Sequence, residues 1–331
     1  MTFSFVIPTY NNTTLLFNTL LALNRQTEKE SYEVIVVDDG STDGTRDHVM
    51  HIPRHYNLRY LYLERDERSC RARTRNHGWT QAAGEIVVFI DSDILIRPDY
   101  LAELCRCFAC NERIAVIGNR LMLSAPVAPE EVTSGAVFHT YRYNKNSNLR
   151  EFRYRLYDVI SYNINTQVYP WTQFYSCNAA VPKRFLELAG GFDENFKGWG
   201  MEDVELGYAL YSRGVNIVID HKLEVLHQYH ERGEAGRSDR PAQIDYERNI
   251  NYFLKKHPEA LQMPDEYKVP FFKGELADDS IFREDDNRYI GIDFRDKGKT
   301  AQMKKLLLAT TERKKTILVV NDYVEEGDLD I

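Results

Sequence analysis

Five short runs rich in β-branched, aromatic or other apolar residues alternate with four segments of helical character, and this alternation constrains the fold more than any other feature. Phe3 to Ile7 stops at Pro8, Glu33 to Val37 at Asp38 and Asp39, Arg59 to Leu63 at charge, Glu85 to Ile90 at Asp91, and Ile114 to Ile117 at Gly118. Helical segments are predicted between them at about Thr13 to Arg25, Gly44 to His51, Ser69 to Ala83 and Pro98 to Cys110. Strand followed by helix at this spacing predicts an α/β architecture, a mostly parallel sheet covered by helices on both faces. Ligands of such sheets bind beyond the carboxyl ends of the strands. Pro8 to Asn11, Asp38 to Asp43 and Asp91 to Asp93 all fall at such ends.

The remaining chain is less regular. About Ser124 to Tyr175 is rich in Tyr, Asn and Arg and reads as surface helices and loops with modest apolar faces. Helices are then expected at Pro182 to Ala189, Glu202 to Arg213 and Pro241 to Lys256, with a strand at Val215 to Asp220. Strands at Tyr289 to Phe294 and Thr316 to Val320, with a helix near Thr300 to Ala309, suggest a small α/β appendage. The expected organisation is a ligand-binding part at 1–120, a second part at 121–258, and the appendage or linker at 259–331.

Composition excludes several classes. The 331 residues allow about two domains. With 42 Lys+Arg against 50 Asp+Glu the net charge is −8, which disfavours a nucleic-acid partner. No apolar run approaches the ~20 residues of a membrane span, and MTFSFVIPTY lacks the form of a secretory signal. The expectation is a cytoplasmic protein, with peripheral association at the inner face of a membrane left open. Five cysteines argue against a disulfide framework. Cys105, Cys107 and Cys110 lack a fourth zinc ligand and read as small buried hydrophobes.

Asp91-Ser92-Asp93 directly follows the strand EIVVFI, and paired carboxylates there suit a divalent ion that also meets phosphate. The plainer alternative is a turn leading to Pro98. Asp38-Asp39-Gly40-Ser41-Thr42-Asp43-Gly44 is a second acidic strand end, or simply a turn before a capped helix. Together the two clusters point to a nucleotide and metal site. Arg71, Arg73 and Arg75 offer guanidinium to phosphate, but their spacing lets only one or two reach a ligand.

FVIPTYNN, VVDDGSTDGT, RTRNHG and FIDSD, in this order, resemble the nucleotide-sugar-binding half of the family 2 glycosyltransferases, which have the GT-A fold. The resemblance covers about residues 1–120. It implies a UDP-sugar donor and Mn²⁺ or Mg²⁺. By the same likeness Pro8, Tyr10 and Asn11 line the base and ribose pocket, Asp39 contacts uracil or ribose, and Arg75 approaches the diphosphate. Asp91 and Asp93 form the metal-binding Asp-x-Asp element around Ser92, itself at the donor.

AGGFDENFKGWGMEDVELGYALYSRG is similar to the acceptor-side segment of galactosyl- and N-acetylgalactosaminyltransferase-type domains. This likeness makes Trp199 an acceptor platform, Glu202 a ligand for acceptor hydroxyls and Asp203 the general base. Inverting transfer needs such a carboxylate opposite the leaving diphosphate; an acidic helix start is the plain alternative. The likeness also makes His227 a further metal ligand, while His230 and Glu231 read as ordinary surface residues. Asn178 falls near the donor sugar, with Ser176 in place of the family's usual glycine.

The function expected is an inverting, metal-dependent transfer of a hexose or N-acetylhexosamine from a UDP-sugar. The acceptor is a glycan, lipid-linked, peptide or small molecule, with Tyr141 to Tyr175 as the candidate acceptor-shaping region. A nucleotidyltransferase and a non-catalytic sugar-nucleotide or glycan-binding module remain the alternatives. The appendage is compatible with pairing into a homo-oligomer.

Overall fold

In chain order the elements are β1 (Phe3–Thr9), α1 (Thr13–Leu23), β2 (Tyr32–Asp38), α2 (Thr45–His51), β3 (Asn57–Tyr62), α3 (Arg71–Thr80), β4 (Ile86–Ile90), β5 (Ile94–Leu95), α4 (Tyr100–Cys110), β6 (Ile114–Ile117) and β7 (Arg120–Met122). They continue with α5 (Pro129–Ser134), α6 (Ala136–Thr140), α7 (Arg153–Val159), β8 (Asn178–Pro182), α8 (Lys183–Ala189), α9 (Glu202–Tyr211), β9 (Asn216–Ile219), β10 (Val225–His227), α10 (Ala242–Lys256), β11 (Tyr289–Ile292) and β12 (Thr316–Val319). The computed structural model describes residues 1–27, 32–142, 149–164, 167, 169–230 and 242–260, and the two strands β11 and β12. The helix expected near Thr300 to Ala309, and Glu231, lie outside the described residues. No helix among the described residues is long and apolar enough to cross a membrane.

Met1–Glu151 and Trp171–Tyr246 form one unit; Phe152–Pro170 and Glu247–Ile331 form the other. The first unit holds a seven-stranded sheet in the order β3-β2-β1-β4-β8-β6-β9. It is parallel except for β8, which runs antiparallel to both β4 and β6. Val34 to Val37 and Val87 to Ile90 are fully buried, as a sheet covered on both faces requires. β1 pairs with β2 on one side and β4 on the other, so connections leave in opposite directions at their carboxyl ends. A crevice opens at such a switch point. Thr9 pairs with Asp38, which starts the loops after β1 and β2 at the same level of that edge.

A second sheet, β5-β10-β7, lies just beyond β4. Its strands are two or three residues long, too short for any periodicity to predict. His227 of β10 pairs with Ile94 of β5, setting it beside Asp93. Arg97 and Glu224, both buried, fix this arrangement through a 2.6 Å ion pair and a bond from Arg97 Nε to the Glu224 carbonyl. In the second unit β11 and β12 pair in parallel.

Two sequence expectations are corrected and one strand is added. β8 (NAAVP) was not foreseen, because Val181 is its one β-branched residue; its strand character comes from insertion between β4 and β6. The stretch from Ser124 to Tyr175 is not a solvated face: Tyr154, Tyr157, Trp171 and Phe174 are all buried. Of the cysteine cluster only Cys107 is buried, its thiol facing Asp220, whereas Cys110 is exposed. The three are spread around α4 because their spacing does not return to one helical face.

α3 sits close against β1 and β2 because Gly78 has no side chain. A Cβ there would lie 2.4 Å from Val6 Cγ1 and 2.9 Å from Val37 Cγ2. Gly78→Ala is therefore expected to push α3 outward and lower stability by about 1–3 kcal/mol, the usual range for overpacking. Urea unfolding checks this, and an unchanged midpoint would mean that the sheet absorbs the methyl.

Candidate active site

One side of the crevice is built from the ends of β1, β2 and β3. Asp38, almost fully buried, accepts from the Ser41 N–H and from the Tyr60 hydroxyl and so holds the turn together. Asp39 instead pairs with Arg65 at 2.8 Å, and the Arg65 guanidinium lies 3.8 Å above the Tyr10 ring. Burial raises the Asp39 carboxyl above its ordinary value, opposed by Ser69, Arg65 and Arg73. Pro8 and Tyr10 are half-buried here. Asn11, at φ 45°, donates its N–H to Ser41 Oγ, and its side-chain oxygen accepts from Thr42 N, zipping the two loops together. Ser92 accepts from Asn12 at Oγ and from Thr19 at its carbonyl.

Arg75 is the centre of the site. Its side chain is 4% exposed, with Asp91 at 3.0 Å, Glu202 at 3.1 Å and Asp203 at 3.6 Å. Both Nη nitrogens thus meet carboxylates, while the buried Nε has no hydrogen-bond partner. Burial alone would lower the Arg75 pKa, but Asp203, Asp91 and Glu202 outweigh it and raise it. Arg71 donates to the Gly198 carbonyl and Arg73 to Asp66, so one arginine of the three enters the cluster.

Glu202, Asp203 and Glu205 open α9, where acidic groups favour the helix dipole. The turn before it carries positive φ at Gly198, Gly200 and Met201. At Met201 that geometry stores of order 1–3 kcal/mol of strain. Trp199 is exposed at the tip of this turn, its ring 5.4 Å from Tyr246. Ser176 Oγ donates to Asp203 Oδ1 at 2.6 Å. Burial and the neighbouring Glu202 charge push Asp203 up to about 6, against Arg75 and Ser176, which oppose the rise.

A second group of ligating atoms lies around Asp93. Nε2 of His227 is 3.3 Å and Nε2 of His230 is 3.5 Å from the same oxygen, Asp93 Oδ2. The ligating atoms of the three residues lie within 4.8 Å of one another, and this is the one such group among the described residues. Asp93 Oδ1 is buried without a hydrogen-bond partner. Burial would raise Asp93, but His227 and His230 outweigh it and hold the carboxyl below its ordinary value; burial lowers His227. Two imidazoles converging on one carboxylate with a spare oxygen fit a divalent transition ion.

Relative to the sequence reading, Asp93 and His227 are brought together and His230 joins them, although it read as an ordinary surface residue. The signal available was the His-x-x-His spacing of His227 and His230. Asp91 stands with Arg75 instead, because the turn closed by Ile94 N–H to the Asp91 carbonyl gives the two aspartates different partners. Asn178 is wholly enclosed, accepting from the Tyr100 hydroxyl and donating to the Asn119 and Leu223 carbonyls. It serves β8 and faces no crevice.

The Glycosyl transferase family 2 profile matches residues 4–215. The chain belongs to this family. It is 31% identical over 266 residues to a validoxylamine A glucosyltransferase of Streptomyces hygroscopicus subsp. jinggangensis, covering 78% of this chain and 61% of that protein. The chain thus spans about three fifths of that relative's length. Among solved structures, S. aureus TarS 1–349 in complex with UDP-GlcNAc matches with TM-score 0.56 and 20% identity, over 81% of this chain and 69% of that one. The mannosyltransferase PcManGT from Pyrobaculum calidifontis, in complex with GDP-Man and Mn²⁺, matches with TM-score 0.52 and 21% identity, over 82% and 67%. These likenesses place the fold in the GT-A class.

Removing the Arg75 charge leaves Asp91, Glu202 and Asp203 facing one another. Arg75→Met is expected to cost about 3–5 kcal/mol at pH 7, as for a broken buried ion pair. Burial and the Glu202 charge raise Asp203, and without the opposing guanidinium it rises further, so the folded state binds more protons than the unfolded one and the deficit shrinks as pH falls. Urea unfolding at pH 7 and pH 5.5 tests the sign; a deficit independent of pH would mean that packing, not charge, is what Arg75 supplies.

Proposed function

We propose that this family 2 glycosyltransferase chain catalyses inverting, metal-dependent transfer of a hexose or N-acetylhexosamine from a UDP-sugar to a glycan or other nucleophilic acceptor. One observation carries the reading. Arg75 joins a carboxylate of base character, Asp203, to Asp91, two residues from the ligand Asp93. Base and metal groups are thereby held on a single polar framework. The match to a glycosyl transferase family over residues 4–215 speaks against the nucleotidyltransferase alternative, and the acidic pair Glu202 and Asp203 against pure binding.

Asp39, Arg65 and Tyr10 would hold the base and ribose at the ends of β1 and β2. Asp93, His227 and His230 would hold the divalent ion, and two imidazoles favour Mn²⁺ over Mg²⁺, which prefers oxygen. Such an ion, when bound, supplies positive charge to the donor's phosphate oxygens. Asp203 takes the proton of the acceptor hydroxyl as its oxygen bonds the anomeric carbon, and the bond from that carbon to the diphosphate oxygen breaks with its electrons leaving on UDP. Glu202 and Trp199 would orient the acceptor beside it.

Asp203 works only when ionised, and its pKa of about 6 places the acid limb of kcat/KM there, falling tenfold per pH unit below it. Asp203→Asn is expected to reduce transfer by at least about 10²–10⁴-fold, the usual share of a positioned base, while UDP binding with Mn²⁺ persists. UDP release from UDP-Glc, UDP-Gal, UDP-GlcNAc and UDP-GalNAc measures the transfer and calorimetry of UDP with Mn²⁺ measures the binding; normal turnover by this variant would require another base. Asp93→Ala is expected to abolish the Mn²⁺ dependence of UDP binding in calorimetry, and donor affinity indifferent to chelator in the parent chain would overturn the metal assignment.

A further inference from the structure

The two histidines of the metal group flank a residue that the proposed chemistry leaves unused. Gln228 is 1% exposed, and its side chain turns away from the site toward α1. Its Nε2 donates to the Leu15 carbonyl at 2.9 Å and reaches Thr19 Oγ1 at 3.4 Å, while its Oε1 accepts from Asn18 Nδ2 at 2.9 Å. Its backbone N–H donates to the carbonyl of Asp93, also at 2.9 Å. The next bond along is from Leu123 N–H to the His227 carbonyl.

The same helix holds the other ligand-bearing turn. Thr19 Oγ1 donates to the Ser92 carbonyl, and Asn12, just before α1, donates to Ser92 Oγ. One buried polar seam along α1 therefore fixes the residue before Asp93 and the residue after His227. Both ends of the Gln228 amide are paired with α1, so this buried side chain ties the chain at β10 to the helix at a fixed register.

We infer that Gln228 is a positioning residue which, clamped to α1 through Leu15 and Asn18, holds His227 and His230 at the spacing that lets both meet the ion on Asp93. The inference rests on the metal assignment made above. Groups that orient ligands from outside typically carry about 10–100-fold in metal affinity, because the ligands must otherwise be ordered at the moment of binding.

The test is Mn²⁺ titration of the full chain, followed by the paramagnetic resonance of free Mn²⁺, with thermal unfolding of the metal-free protein alongside. Gln228→Met is expected to bind Mn²⁺ about 10–100-fold more weakly. Asn18→Ala, which removes the donor to Gln228 without touching any ligand, is expected to weaken it in the same direction, and the double variant to add little to the larger single effect. Asn18→Ala decides the matter if Gln228→Met does not fold. Lowered melting temperatures with unchanged Mn²⁺ affinity in the folded variants would make the clamp merely structural and overturn the inference. Absence of Mn²⁺ binding by the parent chain, with His227→Ala indistinguishable from it, would instead overturn the metal assignment beneath it.

Discussion

Arg75 is a cation almost fully removed from water, and such a charge persists only where opposite charges surround it. Here they come from separate parts of the chain: Asp91 from the end of β4, and Glu202 with Asp203 from the start of α9. The guanidinium offsets the mutual repulsion of Glu202 and Asp203, while Asp91 keeps about a third of its side chain in water. The cluster thus ties α3, β4 and α9 to one point in the crevice. It also sets the character of Asp203, whose proton affinity is raised by burial and by Glu202 and restrained by Arg75 and Ser176. The same four residues provide architecture and acid–base behaviour.

The second constraint is register. A three-stranded sheet of very short strands pairs His227 with Ile94, and the buried Arg97–Glu224 pair fixes its end. That pairing, not sequence proximity, brings two imidazoles to Asp93 across more than 130 positions of chain. The α1 seam then locks both turns from behind. Two polar clusters, one centred on Arg75 and one in which His227 and His230 meet Asp93, are separated by the two-residue step from Asp91 to Asp93.

Much of the fold was legible because its signals are local. The apolar runs of β1, β2, β4 and β6 are recognisable from their own residues, as are α1, α4, α8 and α9 within a few positions of their ends. The strand-end acids, and the likeness of four motifs to a known family, pointed to the crevice and to Asp39, Arg75, Asp93, Asp203 and His227 as candidates. β8 was illegible because Ala-Ala carries no strand preference, and Ser124 to Tyr175 because Tyr serves on a surface and in a core alike.

The sequence by itself determined the class of sheet, the edge on which polar residues gather, and the residue types available for chemistry, since each follows from periodicity or from turns within a few residues. Only the tertiary structure decided which of those residues act together. Asp91 meets Arg75 while Asp93 meets His227 and His230, Asn178 is enclosed among backbone carbonyls, and Gln228 is paired with α1. The reason is physical: ion pairing and ligand convergence depend on distances of 3–4 Å between residues far apart in the chain, and those distances are set by strand register and helix docking, which no local pattern encodes.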